Sequence, residues 1–400
     1  MTPETAPVPR ETDSAASRIV ALADACVLCG LCLPHCPTYT LDRVEGESPR
    51  GRIMLFKGLA EGRLSPEPAA TAHLDHCLGC RHCERVCPAQ VRYGDLLLAG
   101  RAALRERVPA RWKQRLVEGL LPRRGALRLA LRLGTWLGRA FPGPWRRLPP
   151  TPPGASFAPQ YPARGARRGS VGLFLGCLGP HYDAAAARAA IALLTRLGWD
   201  VTLPPAQTCC GAAHRHAGNE AGAARLDAIN RAAFAGEVAA VLTLASGCHE
   251  SVAQAFGGEV PVREALVFIA RDERLATLRL RPAAPGTRVA LQLPCTQRNV
   301  TRGAASVGPL LAHLPGLEIT PLPDAGCCGA AGAHMLTEPA RADALRAPWL
   351  DAIARTSAAT LCSANVGCRL HLAVGLGDRG LAVATRHPLE LLADHLDDSA

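Results

Sequence analysis

The placement of cysteine constrains this chain more than any other feature. Seventeen of its 400 residues are Cys, and they are not scattered. Eight lie in two compact runs, CVLCGLCLPHCP at 26–37 and CLGCRHCERVCP at 77–88. The runs share one spacing, Cys26-x2-Cys29-x2-Cys32-x3-Cys36-Pro37 and Cys77-x2-Cys80-x2-Cys83-x3-Cys87-Pro88. Three thiolates two residues apart let a short turn wrap one corner of an iron–sulfur cage. The fourth follows a helical turn later and points elsewhere. The trailing proline stops the local helix and turns the chain. Zinc also takes four thiolates, but usually as two separated pairs. Residues 1–20 contain Glu4, Glu11 and Asp13 and no apolar stretch, so they read as a disordered tail and not as a secretory or transit segment. No run of about 18 apolar residues occurs, which argues against a membrane span. The expected location is the cytoplasm, extending to peripheral contact with the cytoplasmic face of the inner membrane. Disulfides rarely persist there, so these cysteines read as ligands or redox groups.

The two runs resemble those of bacterial two-cluster ferredoxins, in which the last Cys of each run ligates the other cluster. Cys26, Cys29, Cys32 and Cys87 are accordingly assigned to one [4Fe–4S] cluster. Cys77, Cys80, Cys83 and Cys36 are assigned to a second. The insert between the runs holds SPRGRIMLFKGLAEG (48–62), which reads as a turn followed by a helix. Its Arg50 and Arg52 face a cluster, an acidic partner or solvent; the spacing does not choose among these.

The second half of the chain repeats itself. SVGLFLGC ends at Cys177 and RVALQLPC at Cys295, 118 residues on. The same offset relates Cys209-Cys210-Gly211 to Cys327-Cys328-Gly329, and His216 to His334. Cys248 and Cys368 are 120 residues apart. A near-constant offset over several landmarks marks a duplication. Each copy alternates short apolar runs with helical stretches: in the first, strands at 171–176, 200–203 and 238–246 and helices at 181–199 and 218–236. Such alternation predicts a parallel, doubly wound sheet with its ligand site at the strand C-termini. Cys177, Cys209, Cys210 and Cys248 would converge there, as would Cys295, Cys327, Cys328 and Cys368. Three readings compete for each set: a metal or Fe–S cluster, a working thiol pair, and leftover buried cysteine. The duplicated spacing favours the first. Gly211 and Gly329 supply freedom at φ where the chain turns. Cys362 has no counterpart in the first copy and reads as a packed thiol.

The net charge of +11 is concentrated in one place. Residues 101–168 carry fifteen Arg and Lys113 against Glu106 and Glu118 alone, and the rest of the chain is slightly acidic. No nucleic-acid-binding module accompanies this segment, so nucleic acid is not an expected partner. RRGALRLALRLGTWLGRA (123–140) reads as a helix with Arg124, Arg128 and Arg132 on one face and Leu127 and Leu131 on another. Either it packs one domain on another or it lies on an anionic membrane surface. Residues 141–165, rich in Pro and Gly, read as a linker.

Taken together, the paired CxxCxxCxxxCP runs, SPRGRI after the first, and two Cys…CCG…GC units resemble the iron–sulfur subunit of bacterial glycolate oxidase (glycolate dehydrogenase). The combination is similar also to the third subunit of anaerobic glycerol-3-phosphate dehydrogenase and to heterodisulfide reductase subunits. The resemblance implies an N-terminal helical two-cluster ferredoxin domain (21–100), a basic helical and Pro-rich linker (101–168), and two duplicated α/β CCG domains with parallel sheets (169–286 and 287–400). It implies an electron-transfer role: FAD-binding partner subunits oxidise glycolate, or a relative such as D-lactate, and this chain relays the electrons to a quinone or other acceptor. The alternatives are a membrane-docking subunit of a glycerol-3-phosphate enzyme and a thiol–disulfide enzyme. No GxGxxG opens a helix, so the chain alone is not expected to be catalytic. One departure stands out. The family's last element is CxxC, whereas here Ser251 follows Cys248 and His371 follows Cys368 at that place. His371 reads as a substitute ligand or a surface residue.

Overall fold

The computed structural model describes residues 14–140 and 147–397. The first part is helical. Helices α1 (Ala15–Asp24), α2 (Pro49–Ala60), α3 (Pro68–Asp75) and α4 (Tyr93–Arg107) enclose a small core of Ile19, Ile53, Phe56, Leu74 and Leu96. Two of the expected boundaries move. Most of the tail expected at 1–20 (residues 1–13) lies outside the described residues, but Ala15 to Val20 form the start of α1. Ser14 caps that helix, accepting from the Ser17 N–H at 3.1 Å, and Ile19 buries against the core. At the other end, α4 runs straight across residue 100 because Leu96, Leu97 and Arg101 all face inward.

Two further helices follow, α5 (Trp112–Leu120) and α6 (Arg124–Ala140). The expected linker at 141–165 is only partly structureless. Residues 141–146 lie outside the description, and Gln160–Tyr161 form strand β1.

The remainder is a repeated α/β unit. The first copy runs β2 (Gly169–Phe174), α7 (Ala184–Arg196), β3 (Trp199–Thr202), α8 (Ala212–His216), α9 (Glu220–Ala233), β4 (Val241–Thr243), α10 (Ser246–Phe256) and β5 (Val262–Glu264). Its sheet has the order β1-β3-β2-β4-β5, parallel except where β1 adds antiparallel to β3. The second copy runs β6 (Arg288–Leu291), α11 (Cys295–Asn299), β7 (Glu318–Pro321), α12 (His334–Thr337), α13 (Pro339–Ala354), β8 (Thr360–Cys362), α14 (Val366–Asp378), β9 (Ala384–Arg386) and α15 (Pro388–Ala393). Its four strands are all parallel, in the order β7-β6-β8-β9. That is the first sheet without β1. Val171 lies opposite Val201, and Val289 opposite Ile319, at equivalent places.

The two copies share one core. Val171, Leu173, Leu194 and Leu242 of the first are continuous with Val289, Leu291, Leu310 and Leu392 of the second. The interface also buries a charge pair. Arg369 of α14 bonds Asp183 of the first copy, with Glu390 at 3.7 Å, and both partners are nearly inaccessible. Removing the guanidinium would strand the Asp183 carboxylate in a dry interface, at a cost of about 3–5 kcal/mol, while Glu390 keeps Arg386 at 3.4 Å and the His387 N–H at 3.1 Å. Arg369→Leu should therefore lower the denaturant midpoint of the α/β pair sharply. A loss below about 1 kcal/mol would show that water reaches the pair.

Candidate metal centres

The two ferredoxin-like runs fold into matching loops. Each has left-handed backbone at the residue before its second Cys and at the residue after it: Leu28 and Gly30 in one, Gly79 and Arg81 in the other. Left-handed φ costs an L side chain about 1–2 kcal/mol, so Leu28 and Arg81 are held there against their preference. The effect is to curl each loop around its own three cysteines.

The loops do not keep to themselves. Cys26, Cys29, Cys32 and Cys87 line one hollow, which Cys83 also borders. Cys36, Cys77, Cys80 and Cys83 line another, beside Arg52 and Tyr93. Each last cysteine has thus crossed to the other run's loop. The first hollow is at the surface: Cys29 is exposed, Val27 is 70% exposed and Leu31 57%. The second lies deeper, with Cys36 buried.

Around the second hollow the chain has built a charged support. Arg52 is 1% exposed. Its guanidinium donates to Glu47 at 2.6 Å, to the Thr38 hydroxyl at 2.9 Å and to the His73 carbonyl at 2.7 Å, and lies 3.8 Å from the Cys36 sulfur. Arg52 therefore faces the sulfur site, which settles one of the three orientations left open above. Arg50 turns to Glu45 and the Leu28 carbonyl. Tyr93 Oη lies 3.4 Å from the Cys77 sulfur. Glu47 also has His73 Nδ1 and His76 Nδ1 each at 2.7 Å, a trio that could hold a metal ion by spacing alone. However, Arg52 and Arg341 already neutralise that carboxylate, and a cation would have to displace them. Burial raises the Glu47 carboxyl, but hydrogen bonds from the two histidines and the Arg52 charge outweigh it and hold the pKa at about 2. Glu47 therefore stays ionised and anchors Arg52.

The repeat cysteines converge as well. In the first copy the thiols of Cys177, Cys209, Cys210 and Cys248 are linked in that order. In the second, Cys295 Sγ is 3.8 Å from Cys327 Sγ, and Cys328 Sγ is 3.1 Å from Cys368 Sγ. Gly211 and Gly329, following the paired cysteines, both take left-handed φ. Hydrogen bonds to neighbouring thiols, and then burial, hold Cys209, Cys248 and Cys295 well above the ordinary thiol value. Cys210 goes the other way: hydrogen bonds from Cys209 and Cys248 hold it well below the ordinary thiol value. A bound metal would deprotonate its thiol ligands outright. The donor sets thus suit metal or iron–sulfur groups at all four places. His371 joins none of them. It is buried, its Nε2 donating to the Ala342 carbonyl at 3.0 Å, so it is neither ligand nor surface residue. Ser251 is buried on α10. Cys362 packs in the core.

The second hollow touches both repeats. Cys80 packs with Leu78, Cys295, Cys327 and Leu345, and Asn299 donates to its carbonyl at 2.7 Å. Gly79 meets the His216 ring of the first repeat, and Arg81 pairs with Glu250. Arg101 donates to the Leu74 and Cys77 carbonyls at 2.8 Å and to the His216 carbonyl at 2.9 Å. In the sequence it was one arginine among the fifteen of a basic segment, and nothing local marked it as buried.

A helical two-centre domain joined to two cysteine-rich α/β repeats defines an iron–sulfur electron-transfer protein. Family profiles agree: "4Fe-4S dicluster domain" matches residues 22–91, and "Cysteine-rich domain" matches 171–253 and 289–373. The glycolate oxidase iron-sulfur subunit of Escherichia coli (strain K12) is 34% identical over 402 residues, covering 93% of this chain and 94% of that one. The probable glycolate oxidase iron-sulfur subunit of Bacillus subtilis (strain 168) is 31% identical over 92% and 93% of the two chains. Lactate utilization protein A of Geobacillus thermodenitrificans is 28% identical, covering 56% of this chain and 98% of that protein. The chain belongs to the family of glycolate oxidase iron–sulfur subunits. Its role is iron–sulfur electron transfer within a complex that oxidises 2-hydroxy acids. Among the described residues, no helix is long and apolar enough to cross a membrane.

Proposed function

We propose that this chain relays electrons from FAD in partner subunits, reduced as glycolate becomes glyoxylate, to an acceptor of the quinone class. In this reading Cys26, Cys29, Cys32 and Cys87 hold one [4Fe–4S] cluster, and Cys77, Cys80, Cys83 and Cys36 hold the other. The sets Cys177/Cys209/Cys210/Cys248 and Cys295/Cys327/Cys328/Cys368 hold further metal or Fe–S groups. Bound clusters supply one-electron steps, which splits the two-electron output of a flavin. The observation that carries the reading is the order of the sites from the surface inward. The first hollow opens at a face where Val27, Leu28 and Leu31 are exposed, which suits docking of the flavin-bearing partner. The second lies behind it and contacts both repeats. Arg52, Tyr93 and Arg101 hold the second loop and keep water from it. Relatives named for lactate utilization keep lactate as a second candidate substrate, and its D-form is the one tested below.

The test is anaerobic addition of glycolate to the assembled complex. Cluster absorption should bleach in the complex and stay unchanged in the isolated chain, because the carbon chemistry needs the partner. A complex whose clusters ignore both glycolate and D-lactate would refute the reading.

A further inference from the structure

Three parts of the molecule enclose a cavity of about 450 Å³, a volume that suits a small organic ligand. Cys77 and Trp112 line it from the N-terminal half, Ala217 and His216 from the first repeat, and Ala333 and His334 from the second. The two histidines are equivalent positions of the duplication, so the cavity sits where the copies face one another. Its neighbours are redox groups. Cys77 belongs to the second cluster set, His216 touches the same loop at Gly79, and His334 is 3.2 Å from the carbonyl of Gly329, beside Cys328.

The wall chemistry narrows the ligand. Burial pushes both histidines down to about 4, so both are neutral at neutral pH. His334 donates from Nδ1 to Gly329, which leaves Nε2 an acceptor. That atom has no partner among the described residues. The arginines of the wall are already committed. Arg101 serves backbone carbonyls, Arg105 pairs with Glu118, and Arg111 pairs with Glu338. An anion in the interior would have to break these contacts, because the further wall cation, Lys113, is exposed at the rim over the Trp112 ring; a neutral ring carrying hydroxyl or carbonyl groups would not. The rim adds a second indication. Trp112 is 64% exposed and starts an apolar row with Leu116 on α5, continued on α6 by Leu129, Leu133 and Trp136. Exposed Arg115, Arg123, Arg128 and Arg132 stand around that row. On α6, then, Leu127 and Leu131 pack inward as a scaffold while a different apolar row faces out. A basic, apolar rim of this kind suits a lipid surface, from which a membrane-dissolved carrier would be delivered.

We propose that this cavity binds a quinone-class carrier and is the electron exit of the chain. The proposal rests on the relay reading above and adds to it the place of exit. A quinone takes up two electrons and two protons and leaves as the hydroquinone. The electrons come from the reduced iron–sulfur groups, which hydroxy-acid oxidation on the partner refills, and the protons come from solvent. His334 accepts a hydrogen bond from the hydroquinone hydroxyl.

Titration of the cluster-loaded full chain with a short-chain, water-soluble benzoquinone should quench tryptophan fluorescence saturably, and Trp112→Phe should remove that component. Ala333→Phe and, from the other repeat, Ala217→Phe fill the cavity. Each should weaken the quenching and slow glycolate-dependent quinone reduction in the complex by about tenfold or more, while glycolate still bleaches the clusters. Quenching that never saturates in the unsubstituted chain overturns the proposal, as does quinone reduction at the unsubstituted rate in both filled variants. Clusters that glycolate fails to bleach would instead sink the relay reading, and the quenching would still report on the cavity.

Discussion

Cys87→Ala should empty the surface-proximal cluster site and leave the deeper one filled, although Cys87 lies in the second run. Iron should fall from about eight atoms in the ferredoxin-like domain to about four. Cys36→Ala should do the reverse. The reason is geometric. Cys87 lines the hollow of Cys26, Cys29 and Cys32, whereas Cys36 lies with Cys77, Cys80 and Cys83 near Arg52. Because that hollow opens at the docking face, Cys87→Ala should also cut glycolate-driven reduction of the remaining centre by about a hundredfold or more. If ligation instead ran within each run, Cys87→Ala would remove the cluster beside Arg52. EPR of the two variants separates these outcomes, since the surviving signals must differ.

Arg52→Met should lower the reduction potential of the deeper cluster and leave the other nearly unchanged. A fixed positive charge favours the reduced, more negative cluster, so its removal makes reduction harder. With an effective dielectric near 20, a unit charge about 6 Å away is worth about 3 kcal/mol, or roughly 120 mV for a one-electron couple. Glu47, bonded to Arg52 at 2.6 Å, offsets part of this, so a fall of about 50–100 mV is expected. Potentiometric titration followed by EPR reads it. The effect should persist in Cys87→Ala and vanish in Cys36→Ala, which ties the two predictions together. A potential that moves by less than about 20 mV would mean that the pair Arg52–Glu47 acts on the cluster as a neutral unit.

Much of the fold was legible because it is written locally. The apolar runs at 171–176 and 200–203 became β2 and β3, and the run at 238–246 holds β4, since short apolar runs between helical stretches have few other ways to be buried. The duplication was visible in the 118-residue offset and reappears as two sheets of matching strand order. What escaped was non-local. Strand β1 arises inside a Pro-rich stretch because the edge of β3 was open for pairing. Ile19 looked like part of a tail until the core beside α2 received it. His371 looked like a ligand or a surface residue, but α13 covers it.

The amino-acid sequence by itself determined that the first three sulfurs of each run lie together, because ligand spacing within a turn is a matter of covalent reach. It also determined the alternation of strand and helix, because burial follows the local period. Only the tertiary structure decided which arginine stands beside a sulfur, which face of α6 is free, and that both repeats close on one loop and one cavity. Those contacts join residues from 16 positions apart, as Arg52 and Cys36, to 219 apart, as Asn299 and Cys80. Their energy depends on shape and burial, which no local pattern encodes.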